Sequence, residues 1–170
     1  MKRLAIAHMV SGKAAAVINA LRQQHDPRTA AAIGAHITLA APCDTPTSVE
    51  DLEAALSRIA ASAQPFELTI AGVATFLPNS SVCYLEVQPS EPLVGLHDLL
   101  VANLHWQEAF PYVPHVTVTE YLPPADTEAV ALQLRTLGTC QHDRLDAFTW
   151  LEKVPDGRWA PLRTFPFRIS

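Results

Sequence analysis

A chain of 170 residues, 49% hydrophobic and 17% charged, carries enough apolar surface to bury a sizeable core, which excludes a disordered polypeptide. Its net charge is −5 and its Lys and Arg residues are scattered, so it lacks the basic footprint that would hold duplex DNA along its length. No stretch approaches the ~18 apolar residues of a membrane span, the run after Met1-Lys2-Arg3 is too short and polar for a signal peptide, and Cys43, Cys83 and Cys140 form no C-x-x-C pair. These features predict a cytoplasmic protein with reduced thiols, no membrane partner and a monomeric state.

Leu4-Ala5-Ile6-Ala7 predicts a first strand and Lys13 to Gln24 a helix. His36-Ile37-Thr38-Leu39 reads as the next strand. Thr47 or Ser48 then caps a helix running to about Ser62, and Phe66 to Ile70 forms a strand. Cys83 to Glu86 is strand-like, and Leu93, Leu96, Leu100 and Leu104 recur at helical spacing in the segment that follows. His115-Val116-Thr117-Val118 is again a strand. Asp126 or Thr127 caps a helix to about Leu137, and Leu145 to Trp150 forms a further strand. Asp156-Gly157 marks a turn before a terminal strand near Trp159 to Phe167, closing a hairpin. Prolines such as Pro42, Pro65, Pro78 and Pro111 fall at the junctions.

Two segments share one signature, a histidine and a threonine two residues apart inside an apolar, β-branched run. With seven histidines and thirteen threonines in the chain, chance gives roughly 0.5 such pairs, so the matches alone prove little. Their placement is more informative. His36 and His115 stand 79 positions apart, near half the chain, and the flanking elements repeat at the same offset. Each half reads strand, helix, strand with motif, helix, strand. The expected fold is a single bilobal α+β domain over residues 1–170, with pseudo-repeat halves of about 1–78 and 79–170 related by a pseudo-twofold axis. Antiparallel sheets would line a central cleft with helices outside.

On a strand, residues i and i+2 share a face, so each motif offers an imidazole beside a hydroxyl. In-line displacement at a phosphodiester needs a base for the attacking oxygen and an acid for the departing one. Histidine serves either task near neutral pH. His36 and His115 are therefore the candidate catalytic pair, and Thr38 and Thr117 the candidate donors to phosphate oxygens. The scheme needs no metal or other cofactor, and the sequence does not say which histidine is acid and which is base.

At these residues the chain resembles the 2H phosphoesterase superfamily, in its 2′-5′ RNA ligase and RNA 2′,3′-cyclic phosphodiesterase branch. Gly72-Val73-Ala74-Thr75-Phe76 is similar to the family's Gly-x-x-x-Phe element, and Tyr112-Val113-Pro114-His115-Val116-Thr117 to its second motif. The resemblance implies a bilobal fold and opening of a 2′,3′-cyclic phosphate on a nucleotide or RNA end by two histidines, with 2′-5′ ligation as the reverse reaction. It carries the catalytic role onto His36 and His115 and phosphate contact onto Thr38 and Thr117. Two positions depart from the family's pattern. Ala35 replaces a proline before the first motif, and Glu120 stands where many RNA-processing members have a basic residue. Strand alternation from His115 places Glu120 on the face of Val116 and Val118, away from the site.

Phe76 is a candidate for stacking on a nucleobase, while Tyr84, Tyr121 and Trp159 read first as packing residues. Arg22, Lys153, Arg158 and Arg163 read as solvated surface. His97 and His105, eight apart on a helical stretch, do not converge as metal ligands should. Two further readings stay open: a non-catalytic module binding a nucleotide or phosphate in the same cleft, and a phosphodiesterase for a small metabolite other than RNA.

Overall fold

Alternation along the strands decides what meets the core. In β1 (Lys2–Met9), Leu4 and Ile6 are 2% and 1% exposed and enter the main core, while Ala5 and Ala7 face the other way. The same rule holds for β2 (His36–Thr45), whose Ile37 and Leu39 are fully buried, and for β5 (His115–Thr119), which buries Val116 and Val118. The bulky members of each strand go to the core. The polar or small members are left for the opposite face.

The structure, a computed structural model, describes residues 2–45 and 48–168. Between these strands lie α1 (Gly12–His25), α2 (Pro27–Ala32), α3 (Val49–Ser62), β3 (Phe66–Thr75), β4 (Cys83–Val87) and α4 (Glu91–Leu104). After β5 come α5 (Pro124–Leu137), β6 (Cys140–Leu145), β7 (Ala147–Lys153) and β8 (Trp159–Pro166). Two four-stranded antiparallel sheets result, in the orders β2-β1-β7-β8 and β5-β4-β3-β6. The expected α+β class and pseudo-twofold relation are observed, since β2 matches β5, β1 matches β4, and β7 matches β3. Sheet membership does not divide at residue 78, because β3 crosses over to pair with β4 and β7 returns to pair with β1. Helices α3 and α4 lie against β8 and β2, and α5 and α1 against the other sheet. No helix among the described residues is long and apolar enough to cross a membrane.

Three local expectations are refined. Ser48 caps α3, its hydroxyl accepting from the Asp51 N–H, while Thr47 lies outside the described residues. The cap of α5 is neither Asp126 nor Thr127. The helix starts at Pro124 after Pro123, because proline suits a first turn whose N–H groups have no partner. The stretch from Leu145 to Trp150 is not one strand: the chain breaks at Asp146, ending β6 in one sheet and starting β7 in the other. The short helix α2 was not expected. Asp26 caps it by accepting from the Thr29 N–H, with Pro27 in its first turn.

A buried polar cluster pins the two sheets together. His8 of β1 meets Asp143 of β6, with Nε2 2.8 Å from Oδ2, while the Ser11 hydroxyl and N–H donate to the same carboxylate. Burial opposes the Asp143 charge, but the bonds from His8 and Ser11 outweigh it and hold the carboxyl below its ordinary 3.8. The stability this group contributes is present above pH 3.8 and is lost as pH falls through the depressed value. Asp143→Ala, which leaves His8 and Ser11 without their acceptor, is expected to cost about 3 kcal/mol in urea unfolding at pH 7.

Gly72 sits at a bulge of β3 opposite β4 with φ of +95°, and a Cβ there would run into the Glu86 carboxylate. Gly72→Ala is expected to cost roughly 2 kcal/mol by the same assay.

Candidate active site

β2 and β5 are corresponding strands at one edge of each sheet, and each begins with its motif histidine. Because Ile37, Leu39, Val116 and Val118 occupy the core, His36, Thr38, His115 and Thr117 are turned to the other face. All four line one cleft of about 310 Å³. That is near the lower end of small-molecule sites, which run from ~300 to 1,000 Å³. The small Ala5 and Ala7 help to leave this space open on the β1 wall.

The two imidazoles are held alike. His36 Nδ1 lies 2.9 Å from the Gly34 carbonyl and His115 Nδ1 lies 2.6 Å from the Val113 carbonyl. A carbonyl only accepts, so Nδ1 carries the proton in each ring and donates it. Nε2 is left as the basic atom of the neutral ring. Burial pushes His36 down from 6.5 to about 4, against the bond to Gly34, with Arg22 and His115 adding to the fall. Burial lowers His115 as well, opposed by its bond to Val113. Both rings are therefore neutral bases at pH 7 in the free protein.

Supports reach each motif from the far side of the chain. Phe76 lines the cleft and packs edge-on against the His115 ring at 5.1 Å, with Tyr84 5.0 Å from the same ring. The loop before β5 grips β2. The Tyr112 hydroxyl donates to the Thr38 carbonyl at 3.1 Å, and the Tyr112 ring stacks on His97 at 3.7 Å. His97 Nδ1 sits 2.8 Å from the Leu39 carbonyl, and Glu108 accepts from the Ala41 N–H. Burial, with Glu108 nearby, pushes the Tyr112 hydroxyl above its ordinary range, so it stays a donor. In the sequence His97 reads as an ordinary helix residue and Tyr112 as a flank of the motif. Neither carries a local signal for a bond to a strand some sixty or seventy residues earlier.

The remaining candidates separate clearly. Arg22 is not surface: it is 1% exposed and lines the cleft. Lys153, Tyr121 and Trp159 also line the cleft. Arg158 is tied to Asp156 in the hairpin turn, and Arg163 to Glu53. His105 ends α4 in a left-handed conformation. Glu120 contradicts the expectation from alternation, for it too lines the cleft. β5 ends at Thr119 after a register shift, and Val118 and Thr119 are both buried, so the two-residue period fails one step before Glu120. Among the described residues no three His, Cys, Asp or Glu side chains gather as metal ligands.

Two imidazoles and two hydroxyls around one small cleft can move protons at two atoms of a bound group while donating hydrogen bonds to others. The sequence model of the 2′-5′ RNA ligase superfamily matches residues 10–153. The chain belongs to this superfamily, the 2H phosphoesterases. A protein of Geobacillus kaustophilus, provisionally named a phosphoesterase, is 31% identical over 86% of both chains. One of Bacillus pumilus with the same kind of name is 32% identical over 88% of both. In fold the 2H chain is similar to Escherichia coli LigT complexed with NADP+, at a TM-score of 0.68 and 23% identity over 98% of both chains. It is equally similar to TT0787 of Thermus thermophilus, at 0.68 and 18% over 98% of both.

Proposed function

We propose that this 2H protein opens a 2′,3′-cyclic phosphate on a nucleotide or RNA end by general acid and base catalysis at His36 and His115. The observation that carries the reading is the matched tautomer of the two rings. Each Nδ1–H is spent on a backbone carbonyl, so each Nε2 is free to take or give a proton in the cleft. Thr38 and Thr117 stand two residues beyond, placed to donate to the non-bridging oxygens. Two imidazoles supply both proton transfers, so no metal is part of the scheme. With a 5′-hydroxyl in place of water as the attacking oxygen, the same ring opening would give a 2′-5′ phosphodiester as the 3′ oxygen leaves and takes a proton.

A nucleotide-sized substrate is supported from two sides. E. coli LigT, similar in fold, has been solved with 3′-AMP, phosphate and ATP. Here the cleft holds about 310 Å³, near the lower end of small-molecule sites, and carries Arg3, Arg22 and Lys153 beside Glu120 on its lining. Phe76 offers a ring edge for a base, although its contact with His115 makes it a buttress first.

The substrate test compares 2′,3′-cyclic AMP with a short cyclic-ended oligoribonucleotide at 50 and 200 mM salt. A nucleotide enzyme turns over both with little salt dependence in kcat/KM, whereas an RNA enzyme prefers the oligonucleotide and loses that preference at high salt. Saturable binding of cyclic AMP without any product would instead mark a binding module. Thr38→Val and Thr117→Val, which keep the strand shape and remove one donor each, are each expected to lower kcat by roughly 10²-fold.

A further inference from the structure

The cleft is cationic in an anionic protein. The chain has a net charge of −5, but three of its twelve Lys and Arg residues, Arg3, Arg22 and Lys153, line the cleft against one carboxylate, Glu120. These cations are not gathered at the histidines. Met9 of β1 faces His36 and Ala7 faces Thr38, so the motif of β2 lies beside the C-terminal part of β1. Arg3 stands four residues before Ala7, about 14 Å away at the rise of a strand. Leu4 faces Glu152 of β7, so Arg3 and Lys153, one step further along each strand, reach the same level. They also share a face. Ala5, Ala7 and Leu151 form one buried patch, and Arg3 and Lys153 stand two residues beyond Ala5 and Leu151.

Neither of these two cations is committed within the fold. Arg3 lies 3.5 Å from Asp44, but both side chains are half exposed, and such a pair is worth little in water. Lys153 has no carboxylate partner among the described residues. Its Nζ lies 5.8 Å from the centre of the Trp159 ring, opposite it across β7 and β8. Trp159 also lines the cleft and packs on the patch of Ala5, Ala7 and Leu151, which gives the lysine a fixed apolar support. Arg22 differs from both, being buried and bonded to the Thr29 carbonyl and Asn19. At the far end of the floor the cleft therefore offers two available cations well away from the four motif side chains.

We propose that Arg3 and Lys153 form a second phosphate subsite, which takes a phosphate that the substrate carries besides the reacting one. This rests on the phosphoester reading of the cleft given above and deepens it by naming the substrate class. With the reacting phosphate at the motif threonines, the rest of the substrate lies over Ala5 and Ala7, whose short side chains keep the floor low. Both cationic side chains are long enough to reach back along that floor. Their N–H groups would donate charge-assisted hydrogen bonds to the second phosphate. The same chemistry comes from two sources, the 5′-phosphate of a mononucleotide or the next phosphodiester of an RNA end.

The test is calorimetric binding of three ligands without a cyclic phosphate to the whole protein. They are adenosine 2′-monophosphate, adenosine 2′,5′-bisphosphate, and the dinucleotide ApA with a 2′-phosphate end. At least one of the two with a second phosphate is expected to bind about tenfold tighter than the monophosphate. The ligand that gains names the source, a 5′-phosphate or a phosphodiester. The gain should vanish when Arg3→Gln and Lys153→Gln are combined, and both side chains are exposed, so the fold should hold. Arg144→Gln, which removes an exposed cation of the other sheet, should leave the gain in place. Equal binding of all three ligands would overturn the subsite. So would a gain that survives the combined change, or one that Arg144→Gln removes equally. Binding is read without turnover, so the two proposals part. The gain without turnover of any cyclic phosphate would keep the subsite and remove the reaction, and turnover without the gain would do the reverse.

Discussion

Replacing either His36 or His115 with alanine is expected to lower kcat for a 2′,3′-cyclic nucleotide by about 10³-fold, within the range ascribed to a positioned acid or base. The double variant should be little worse than either single one, because in the proposed reaction the two rings serve the same displacement and neither works alone. Steady-state kinetics on the three variants checks this. KM should change far less than kcat, since the threonines and the cleft walls proposed to hold the phosphate remain. A fall in affinity with kcat preserved would mean that the histidines bind substrate and do not move its protons. Each ring keeps an edge open to the cleft, so their loss should leave the fold intact.

Asp26→Ala is expected to be the most damaging single change to the fold near the site, at about 4 kcal/mol. The Asp26 side chain is 3% exposed and accepts from the Thr29, Glu120 and Tyr121 N–H groups and the Thr29 hydroxyl. It thereby ties the α1–α2 junction to the chain leaving β5. Burial opposes its charge, but these bonds outweigh it and hold the carboxyl below its ordinary value. Truncation would leave the Thr29 and Tyr121 N–H groups and the Thr29 hydroxyl without this acceptor, while the Glu120 N–H keeps its bond to the Thr29 hydroxyl oxygen. Asp26→Asn should rescue them only in part, because its oxygen can replace Oδ2 while its NH2 would confront the Thr29 N–H at Oδ1. Thermal unfolding should show a drop of roughly 10 °C for Asp26→Ala. Asp156→Ala, removing a carboxylate exposed in a turn, should leave the midpoint almost where it was.

The same groups set the acid limit of the fold. His36 binds its proton near pH 4 when folded against 6.5 ordinarily, so between these values the unfolded chain binds more protons and stability falls as pH falls. Below that window Asp26 and Asp143 add to the loss as pH passes through their depressed values.

The motif strands were legible because the two-residue period separates Ile37, Leu39, Val116 and Val118 from the histidines and threonines on one short line of sequence. The pseudo-repeat was legible from the 79-residue offset, and the family from the residues around His115. Three features were not. The exchange of β3 and β7 between sheets is a long-range choice that local patterns do not encode. The burial of Arg22 depends on α2 folding back over α1, although Asp26-Pro27 followed by Thr29 was a readable start signal for α2. The face of Glu120 was misjudged because alternation was carried past the end of β5, where the register shift had already broken it.

The most direct measurement is product analysis after incubating the wild-type protein with 2′,3′-cyclic AMP in excess EDTA, by phosphorus NMR or chromatography. One monophosphate isomer is expected, formed at the same rate with and without the chelator. The isomer names the ribose oxygen that leaves, the one protonated by the acid. No product from the cyclic mononucleotide or from a cyclic-ended RNA, or a product that vanishes with EDTA, would contradict catalysis by two imidazoles alone.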